Sequence, residues 1–293
     1  FPSFPIDVAI IRGSVADERG NISMENEGVF LESLSTAQAA HSGGGKVIAQ
    51  VKWISEAGRL DPRLVKIPGI LVDAIVVDEN QRQSMATGYN PAYSGEIKVP
   101  LSQLEPLPLD AQKVMVRRAT LELDPGMVAN LGFGVADGVP SLAAEEGVLD
   151  HVTFTIEQGA VGGVPALGSD FGLAWNPDAI LDQGYQFDFY DGGGVDISFL
   201  SFAQVDPEGS VNVTKFAGRQ VGPGGFINIS QNARKVVFIG TFTTKGLVET
   251  VENGALQLRR EGSIKKFVQK LEQVSFSGPY SRRNGQEALY VTE

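Results

Sequence analysis

The stretch Asp7-Val-Ala-Ile-Ile11, followed by Asp17-Glu-Arg-Gly20-Asn-Ile22, decides the fold because a similar stretch occurs again later in the chain. Its counterpart is Asp196-Ile-Ser-Phe-Leu200, followed by Asp206-Pro-Glu-Gly209-Ser-Val211. The matched positions are 7 and 196, 17 and 206, and 20 and 209, and all three pairs have the same separation along the chain. A constant spacing of this kind is the signature of an internal repeat.

The next strand-like run keeps the same spacing. Lys46-Val-Ile-Ala-Gln50 is matched by Lys235-Val-Val-Phe-Ile239, with the separation unchanged. An ungapped register from the first matched strand to the second indicates two homologous halves. We therefore predict residues 1–100 to be the remainder of a first half plus a linker, and residues 101–293 to be the second half.

Apolar patterning in the first half predicts alternating strands and helices. Strands are expected over 6–12, 46–53 and 70–78, the last almost wholly apolar, as parallel central strands are. A helix is expected over 30–41 and ends at the three glycines 43–45. Residues 79–108 are polar and rich in proline, which indicates the linker.

The second half continues the alternation. Asp110 is a predicted N-cap of a helix whose apolar face includes Val114 and Met115. Further elements are expected at 127–131 (strand), 141–147 (helix), and 152–157, 196–205 and 235–242 (strands). Strands that alternate with helices predict an α/β fold: two open, mostly parallel sheets covered by helices on both faces.

Composition and charge exclude several classes of function. The 293 residues are 42% apolar and 20% charged with a net charge of −11, a globular composition that disfavours nucleic acid or an anionic membrane as a partner. The chain has no Cys and two His, which excludes thiolate chemistry and makes a His-rich metal site implausible. No apolar run approaches the roughly 18 residues of a membrane span, and no signal peptide opens the sequence, so we predict a cytoplasmic protein without a metal.

Glycine is the one composition value that stands out, at 35 of 293 residues against a usual share of about 7%. The glycines cluster near the ends of apolar runs, where they predict tight strand-to-helix turns with backbone close to a ligand. The clusters lie at positions 43–45, 132–138, 159–163, 192–194 and 222–225.

Glu157 is the strongest candidate for chemistry. It follows the strand-forming run Val152-Thr-Phe-Thr-Ile156 and precedes the glycine loop that begins at Gly159. Ligands of open α/β sheets bind at the carboxyl ends of strands, and a loop without Cβ atoms admits a bulky ligand. The alternative interpretation is an ordinary exposed glutamate beside a turn.

Two other glycine segments have both a functional and a structural interpretation. Asn130-Leu-Gly132-Phe-Gly134-Val-Ala-Asp-Gly138 approximates a dinucleotide fingerprint, but its last glycine is one residue late. Gly222-Pro-Gly224-Gly225-Phe-Ile precedes a helix and could expose amides as an oxyanion hole. Either segment could equally be a structural turn, as is expected for Asp188-Phe-Tyr-Asp-Gly192.

These motifs, taken together and in order, resemble the family I coenzyme A transferases, and most closely their fused-chain acetate/propionate branch. The resemblance rests on Thr155-Ile-Glu157-Gln-Gly159, the preceding Asn130–Gly138 segment, and the later Gln186-Phe-Asp-Phe-Tyr and Gly224-Gly225-Phe-Ile segments. It extends over essentially the whole chain. It implies the NagB/RpiA-like fold with two homologous halves, in agreement with the repeat.

The resemblance also implies a site and a reaction. Glu157 would be the nucleophile that carries a covalent glutamyl-CoA thioester, Gly224 and Gly225 would supply oxyanion amides, and Asn130, Gly132, Phe133 and Gly134 would line the coenzyme A channel. The substrates implied are an acyl-CoA and a short-chain carboxylate such as acetate or propionate, with coenzyme A as substrate and no permanently bound cofactor. The family also implies a homo-oligomer, a tetramer.

Two alternative functions remain open, and the chain departs from the family pattern in one respect. An acyl-CoA hydrolase on the same fold would pass the acyl group to water, and a non-catalytic α/β module would bind a small ligand without depending on Glu157. The resemblance begins partway through the first half and stops before the family sequence ends. The chain is thus expected to be a piece of a longer polypeptide that is weakly active or inactive alone.

Overall fold

A computed structural model describes residues 2–293. Within this range the first half contains one α-helix and seven short strands. Its elements are β1 (Val8–Arg12), β2 (Val15–Asp17), β3 (Ile22–Ser23), α1 (Ser33–Ser42), β4 (Lys46–Val51), β5 (Trp53–Ser55), β6 (Val65–Ile67) and β7 (Ala74–Val77).

The second half contains five α-helices and a larger set of strands. Its first elements are α2 (Ala111–Thr120), β8 (Val128–Leu131), α3 (Gly138–Glu145), β9 (Thr153–Ile156), β10 (Ala160–Val161), β11 (Val164–Pro165), β12 (Ala174–Trp175), β13 (Ala179–Ile180), α4 (Gln183–Asp191) and β14 (Ile197–Ser201). The remaining elements are β15 (Gln204–Val205), β16 (Val211–Asn212), β17 (Lys215–Phe216), β18 (Arg219–Gln220), α5 (Phe226–Asn232), β19 (Lys235–Ile239), β20 (Thr243–Thr244), β21 (Val248–Glu252), β22 (Ala255–Arg260), β23 (Ile264–Lys265), α6 (Gly278–Arg283) and β24 (Glu287–Val291). None of the helices within residues 2–293 has the length and apolar character needed to cross a bilayer.

The main sheet has seven strands in the order β13-β10-β9-β8-β14-β19-β24. The five strands from β9 to β24 run parallel, and the sheet is extended by two antiparallel pairs, β9 with β10 and β10 with β13. This confirms the predicted mostly parallel α/β sheet. One detail was wrong, because the glycines at 159–163 do not lead from a strand into a helix. Gly159 lies in the turn between the antiparallel strands β9 and β10, and Gly162 and Gly163 lie between β10 and β11.

Helices cover both faces of this sheet, as predicted. On one face α2 and α3 contribute Met115, Val116 and Leu142 to a core with Phe154 and Phe199. On the other face the core includes Tyr190 of α4, Phe226 and Ile229 of α5, and Phe238 of β19. The central strands β14 and β19 are therefore held between two apolar layers, and their carboxyl ends are fixed.

The first half forms a three-stranded parallel sheet in the order β1-β4-β7. The predicted strand over 70–78 is too long, because the first residues of this apolar run belong to a turn and not to the strand. Residues Gly69–Leu71 form a 3-10 turn, and the Gly69 amide donates to Asn21 Oδ1 at 2.9 Å. The strand begins only at Ala74 and lies at an edge of the sheet, where Val76 is 51% exposed.

Strand register shows the repeat directly. The pair Val8 and Lys46 between β1 and β4 corresponds to the pair Ile197 and Lys235 between β14 and β19, with both members displaced by the repeat spacing. The hairpin β2–β3 likewise matches β15–β16 at the same displacement. The third strand of each sheet does not keep this spacing along the chain. More residues separate β24 from its partner β19 than separate β7 from its partner β4. The second half therefore has a longer segment before its third strand, and the hairpin β21–β22 lies within it.

The predicted linker has no helix or strand between residues 78 and 100, but it is packed against the second half. Lys98 Nζ donates to the carbonyls of Asn176 and Pro177 at 2.8 Å. Asp170 accepts hydrogen bonds from the hydroxyls of Ser84 and Thr87. The exact boundary between residues 100 and 101 stays a prediction.

Candidate functional site

The site forms where the parallel strands β8 and β9 end. These strands pair in register, with Leu131 opposite Ile156. The residues that follow, Gly132 from β8 and Glu157 from β9, are therefore brought to the same edge of the sheet. The sequence prediction that placed Glu157 at the carboxyl end of a strand agrees with this arrangement.

The Glu157 carboxylate is half-buried and poorly supplied with donors. Gln158 Nε2 lies 3.5 Å from Glu157 Oε1, at the limit of a hydrogen bond, and the Gly225 amide is the backbone donor to the carboxylate. Burial raises the pKa of Glu157, the negative charge of Glu32 raises it further, and the Gly225 hydrogen bond lowers it in part. A carboxylate with few donors keeps its lone pairs available for attack.

Gly225 makes the contact with Glu157 because it has no side chain. Its backbone is ordinary, with φ −76° and ψ −4°, so the glycine is required by space rather than by conformation. A Cβ at this position would overlap Glu157 Oε2 and the Phe187 ring. Gly224, with φ +53°, lies beside it in the wall of the site, and the loop leads into α5 as the sequence predicted.

A cavity of about 390 Å³ opens beside Glu157. Its walls come from the ends of β8 and β14 and from the loop before α5, and they are mostly apolar. The lining residues are Leu131, Gly132, Phe133, Glu157, Phe171, Leu200, Ser201, Phe202, Ala203, Val213, Phe216, Gly222, Pro223, Gly224, Gly225, Phe226 and Ile229. The cavity thus brings together Glu157, Gly224, Gly225, Gly132 and Phe133 from the predicted set.

Two other residues of the predicted set lie outside this wall. Gly134, with φ +103°, turns the chain against Ser201. Asn130 is fully buried and its amide points beneath the strands, where Nδ2 donates to the Tyr190 hydroxyl at 3.1 Å. The predicted contact of Asn130 with coenzyme A stays a prediction, and its observed contact is structural.

Asn130 belongs to a buried polar network under the nucleophile's strand. The Tyr190 hydroxyl donates to Thr155 Oγ1 at 3.0 Å and accepts from Gln186 Nε2 at 2.9 Å. Gln186 Nε2 also lies 3.3 Å from the carbonyl of Ile156, the residue before Glu157. This network was not predicted from the sequence, because the pattern of residues 188–192 is typical of a turn, whereas α4 spans Gln183–Asp191. The spacing of Gln186 and Tyr190, one helical turn apart, was the available signal.

The first half reaches the same site. The amide of Gln183, at the start of α4, donates to the carbonyl of Leu31 at 3.0 Å. Glu32, the residue after Leu31, carries the negative charge that raises the pKa of Glu157. No motif in the sequence pointed to Glu32, because its relation to Glu157 depends on how the two halves pack.

The described part of the chain contains no cluster of three or more His, Asp or Glu side chains arranged to hold a metal ion. The expectations of no metal and no bound cofactor rest on composition and on the family resemblance, and they stay predictions.

Comparison with known proteins identifies relatives over the full length of the chain. Residues 3–78 match the family model described as Coenzyme A transferase. The chain is 47% identical to a caffeate CoA-transferase of Acetobacterium woodii, over 100% of this chain and 57% of that protein. It is 42% identical to the acetate CoA-transferase YdiF of Escherichia coli K12, over 98% of this chain and 54% of that protein. The chain therefore spans about half the length of the relatives it matches.

Solved structures agree with the sequence comparison. The Escherichia coli O157:H7 acyl-CoA transferase YdiF, determined as a thioester complex with CoA, superposes with a TM-score of 0.90 and 40% identity, over 99% of this chain and 54% of that one. A malonate decarboxylase alpha subunit of Acinetobacter baumannii superposes with a TM-score of 0.59 at 16% identity. The second similarity concerns the fold alone.

Proposed function

Since the chain belongs to the coenzyme A transferase family, we propose that it carries the nucleophile of an acyl-CoA:carboxylate CoA-transferase, and that this nucleophile is Glu157. The observation that carries the proposal is the carboxylate of Glu157 at the wall of an apolar cavity, in contact with the Gly225 amide. A carboxylate can act here without a general base, because it attacks as the anion and has no proton to lose on attack. That suits a chain with two His and no Cys.

The reaction proceeds through covalent intermediates of two kinds, a mixed anhydride and a thioester. A Glu157 carboxylate oxygen attacks the thioester carbonyl, the carbon–sulfur bond breaks, and a mixed anhydride and the CoA thiolate form. The thiolate then attacks the Glu157 side-chain carbonyl, which expels the donor carboxylate and leaves a glutamyl-CoA thioester. The acceptor carboxylate reverses these steps, so that a new acyl-CoA leaves and Glu157 is regenerated.

Gly225 is placed to stabilise the charge that develops during these steps. Its amide already donates to Glu157, and the same donor would face an oxyanion formed at the Glu157 side-chain carbon. Gly224 is proposed as the neighbouring donor. Gly132, Phe133 and Gly134 are proposed to face the coenzyme A chain, with Asn130 beneath them.

The carboxylic acid that this protein prefers is less closely defined. Its relatives are named for acetate and for caffeate, and the family resemblance favours acetate or propionate as the smallest substrates. The cytoplasmic location and the homo-tetramer also stay predictions from the sequence and the resemblance.

Substitution of the nucleophile tests the proposal. In protein expressed from the complete gene, Glu157→Gln keeps the side-chain volume and removes the anionic oxygen, so acyl exchange should fall by at least about a thousandfold while CoA binding persists. Glu79→Gln, at an exposed position, is the matched control and should retain wild-type turnover. Near-normal exchange by the Glu157 variant would disprove the assignment.

A further inference from the structure

Glu157 and its neighbour Gln158 lie together in a tight turn. The Gly159 amide donates to the Ile156 carbonyl at 2.9 Å, which makes Glu157 and Gln158 the two central residues of a β-turn. The turn is held at the edge of the sheet, because the Leu181 amide donates to the Gly159 carbonyl at 2.8 Å. The backbone of the nucleophile and of the residue after it is therefore fixed.

The two oxygens of the Glu157 carboxylate have different neighbours. Gly225, whose amide donates to this carboxylate, lies against Oε2, and a Cβ on that glycine would overlap this oxygen. Oε1 faces Gln158, whose Nε2 is 3.5 Å away. The carboxylate thus presents one oxygen to a backbone amide and the other to a side-chain amide.

The Gln158 side chain is packed, but its amide is not fully hydrogen-bonded. It lies against Gly172, where a Cβ would come within 3.2 Å of Gln158 Cγ. It is not part of the cavity lining, so a substrate in the cavity need not displace it. Its Oε1 is buried with no hydrogen-bond partner among residues 2–293. A buried amide with one unpaired end and one long hydrogen bond requires an explanation, and catalytic hydrogen bonds are often long in free enzymes and tighten during the reaction.

We propose that Gln158 is a catalytic residue, whose amide donates to Glu157 Oε1 as that oxygen departs with the donor carboxylate. The inference rests on the proposed CoA-transfer reaction and adds a residue to it. Oε1 attacks the acyl carbonyl and becomes the bridging oxygen of the mixed anhydride. The CoA thiolate then attacks the Glu157 side-chain carbon, and Oε2 takes the negative charge beside the Gly225 amide. The bond from this carbon to Oε1 breaks, its electron pair leaves on Oε1, and Oε2 remains as the carbonyl oxygen of the thioester.

The length of the resting contact suits this step. A short hydrogen bond to Oε1 would stabilise the resting carboxylate and hinder its attack. A contact of 3.5 Å leaves the attacking oxygen nearly free, and it shortens when charge returns to Oε1 as the anhydride breaks. Only an interaction that is stronger in the transition state than in the resting state lowers the barrier. The acceptor carboxylate enters by the reverse of this step, so the same amide faces its attacking oxygen.

The basicity of the leaving carboxylate tests the proposal, in protein expressed from the complete gene. Gln158→Met keeps the length of the side chain and removes the donor. With acetyl-CoA, kcat/KM should fall by about ten- to a hundredfold, as expected for one hydrogen bond to a charged group. Fluoroacetate is a much weaker base than acetate and needs less stabilisation as it leaves, so kcat/KM for fluoroacetyl-CoA should fall by less than about fivefold.

The comparison of donors is independent of how much of the variant is folded. Both donors are measured with one preparation, so a loss of folded protein lowers both rates equally and cancels from their ratio. Equal losses with the two donors would show that Gln158 only supports the turn, and they would overturn the proposal. Unchanged kcat/KM for acetyl-CoA would overturn it as well.

A single-turnover measurement locates the affected step. The variant and the wild type are mixed with acetyl-CoA without an acceptor, quenched at intervals, and analysed by mass spectrometry for CoA joined to the protein. The rate of CoA attachment in Gln158→Met should fall about as far as kcat/KM does. Attachment at the wild-type rate would place the loss in another step and overturn the proposal.

Gln269→Met is the matched control, because Gln269 is exposed. It should retain the wild-type kcat/KM with both donors. The same dependence on the donor in Gln269→Met as in Gln158→Met would contradict a specific role of Gln158. Absence of exchange by the wild-type protein with both donors would instead contradict the proposed function.

Discussion

Glu157 differs from an ordinary surface glutamate in what surrounds its carboxylate. The apolar wall desolvates it, the Glu32 charge repels it, and one amide, that of Gly225, opposes these effects by donating a hydrogen bond. Desolvation and a like charge both raise the pKa of a carboxyl group. The result is an anion that is less stabilised in its resting state than a solvated glutamate, which favours attack on a thioester.

The role of Glu32 predicts a shift in the pH profile. Glu157 must be ionised to attack, so kcat/KM is lost as the pH falls through the pKa of Glu157. Glu32→Gln removes the repulsion, lowers the pKa of Glu157, and should move the acidic limb of the profile to lower pH. The control Glu56→Gln, whose partner Arg59 lies on the surface, should leave the limb unchanged. A limb that stays in place in Glu32→Gln, or moves to higher pH, would contradict this electrostatic role.

The space at Gly225 predicts a loss of activity without backbone strain. Gly225→Ala adds a Cβ that overlaps Glu157 Oε2 and Phe187, so turnover should fall by about a hundredfold or more as the donor and the carboxylate separate. Gly88→Ala is the matched control, because no atom lies within 4 Å of a Cβ at that glycine. Steady-state turnover of the two variants is compared with that of the wild type. Similar turnover in both variants would show that Gly225 is not close to the reacting atoms.

At the scale of elements, the end of β9 is held by the network beneath it. Tyr190, on α4, has three side-chain partners at its hydroxyl: Asn130, Thr155 and Gln186. Burial raises the pKa of Tyr190 to about 12, so the hydroxyl keeps its proton and can donate to Thr155 at any working pH. This arrangement fixes the residues that immediately precede Glu157.

Removal of that hydroxyl should therefore destabilise the protein. Tyr190→Phe keeps the ring in the core and leaves the buried partners unsatisfied, for an expected loss of about 1–3 kcal/mol in the free energy of unfolding. Urea titration measures the loss. Tyr185→Phe, on the same helix but 69% exposed, should change the free energy of unfolding little, and equal stabilities of the two variants would contradict the network's role.

Elements with strong apolar patterns could be predicted, and those fixed by tertiary contacts could not. The helix over 30–41 and the strands near 127–131 and 152–157 were found within a few residues of α1, β8 and β9. The helix α4 was missed because its aromatic sequence ends in three glycines, which suggested a turn. The run 70–78 was overextended because the contact of Gly69 with Asn21, across the fold, divides it.

At the scale of the whole molecule, the repeat was the most informative sequence signal. It predicted the alignment of β1–β4 with β14–β19, and the registers coincide at the repeat spacing. The repeat could not predict how the two halves pack against each other. It therefore gave no indication that Glu32 raises the pKa of Glu157, or that Asp170 accepts hydrogen bonds from hydroxyl groups of the linker. Such contacts join residues far apart in sequence without a shared motif.

The most direct test of the central claim is to locate the covalent intermediate. Protein from the complete gene is incubated with butyryl-CoA without an acceptor, reduced with borohydride, digested and analysed by mass spectrometry. We predict that reduction converts one side chain, that of Glu157, to the alcohol, and that the unreduced protein carries one CoA joined with loss of water. Modification of a different carboxylate, or turnover with no CoA joined to the protein, would contradict the assignment of Glu157 as the nucleophile.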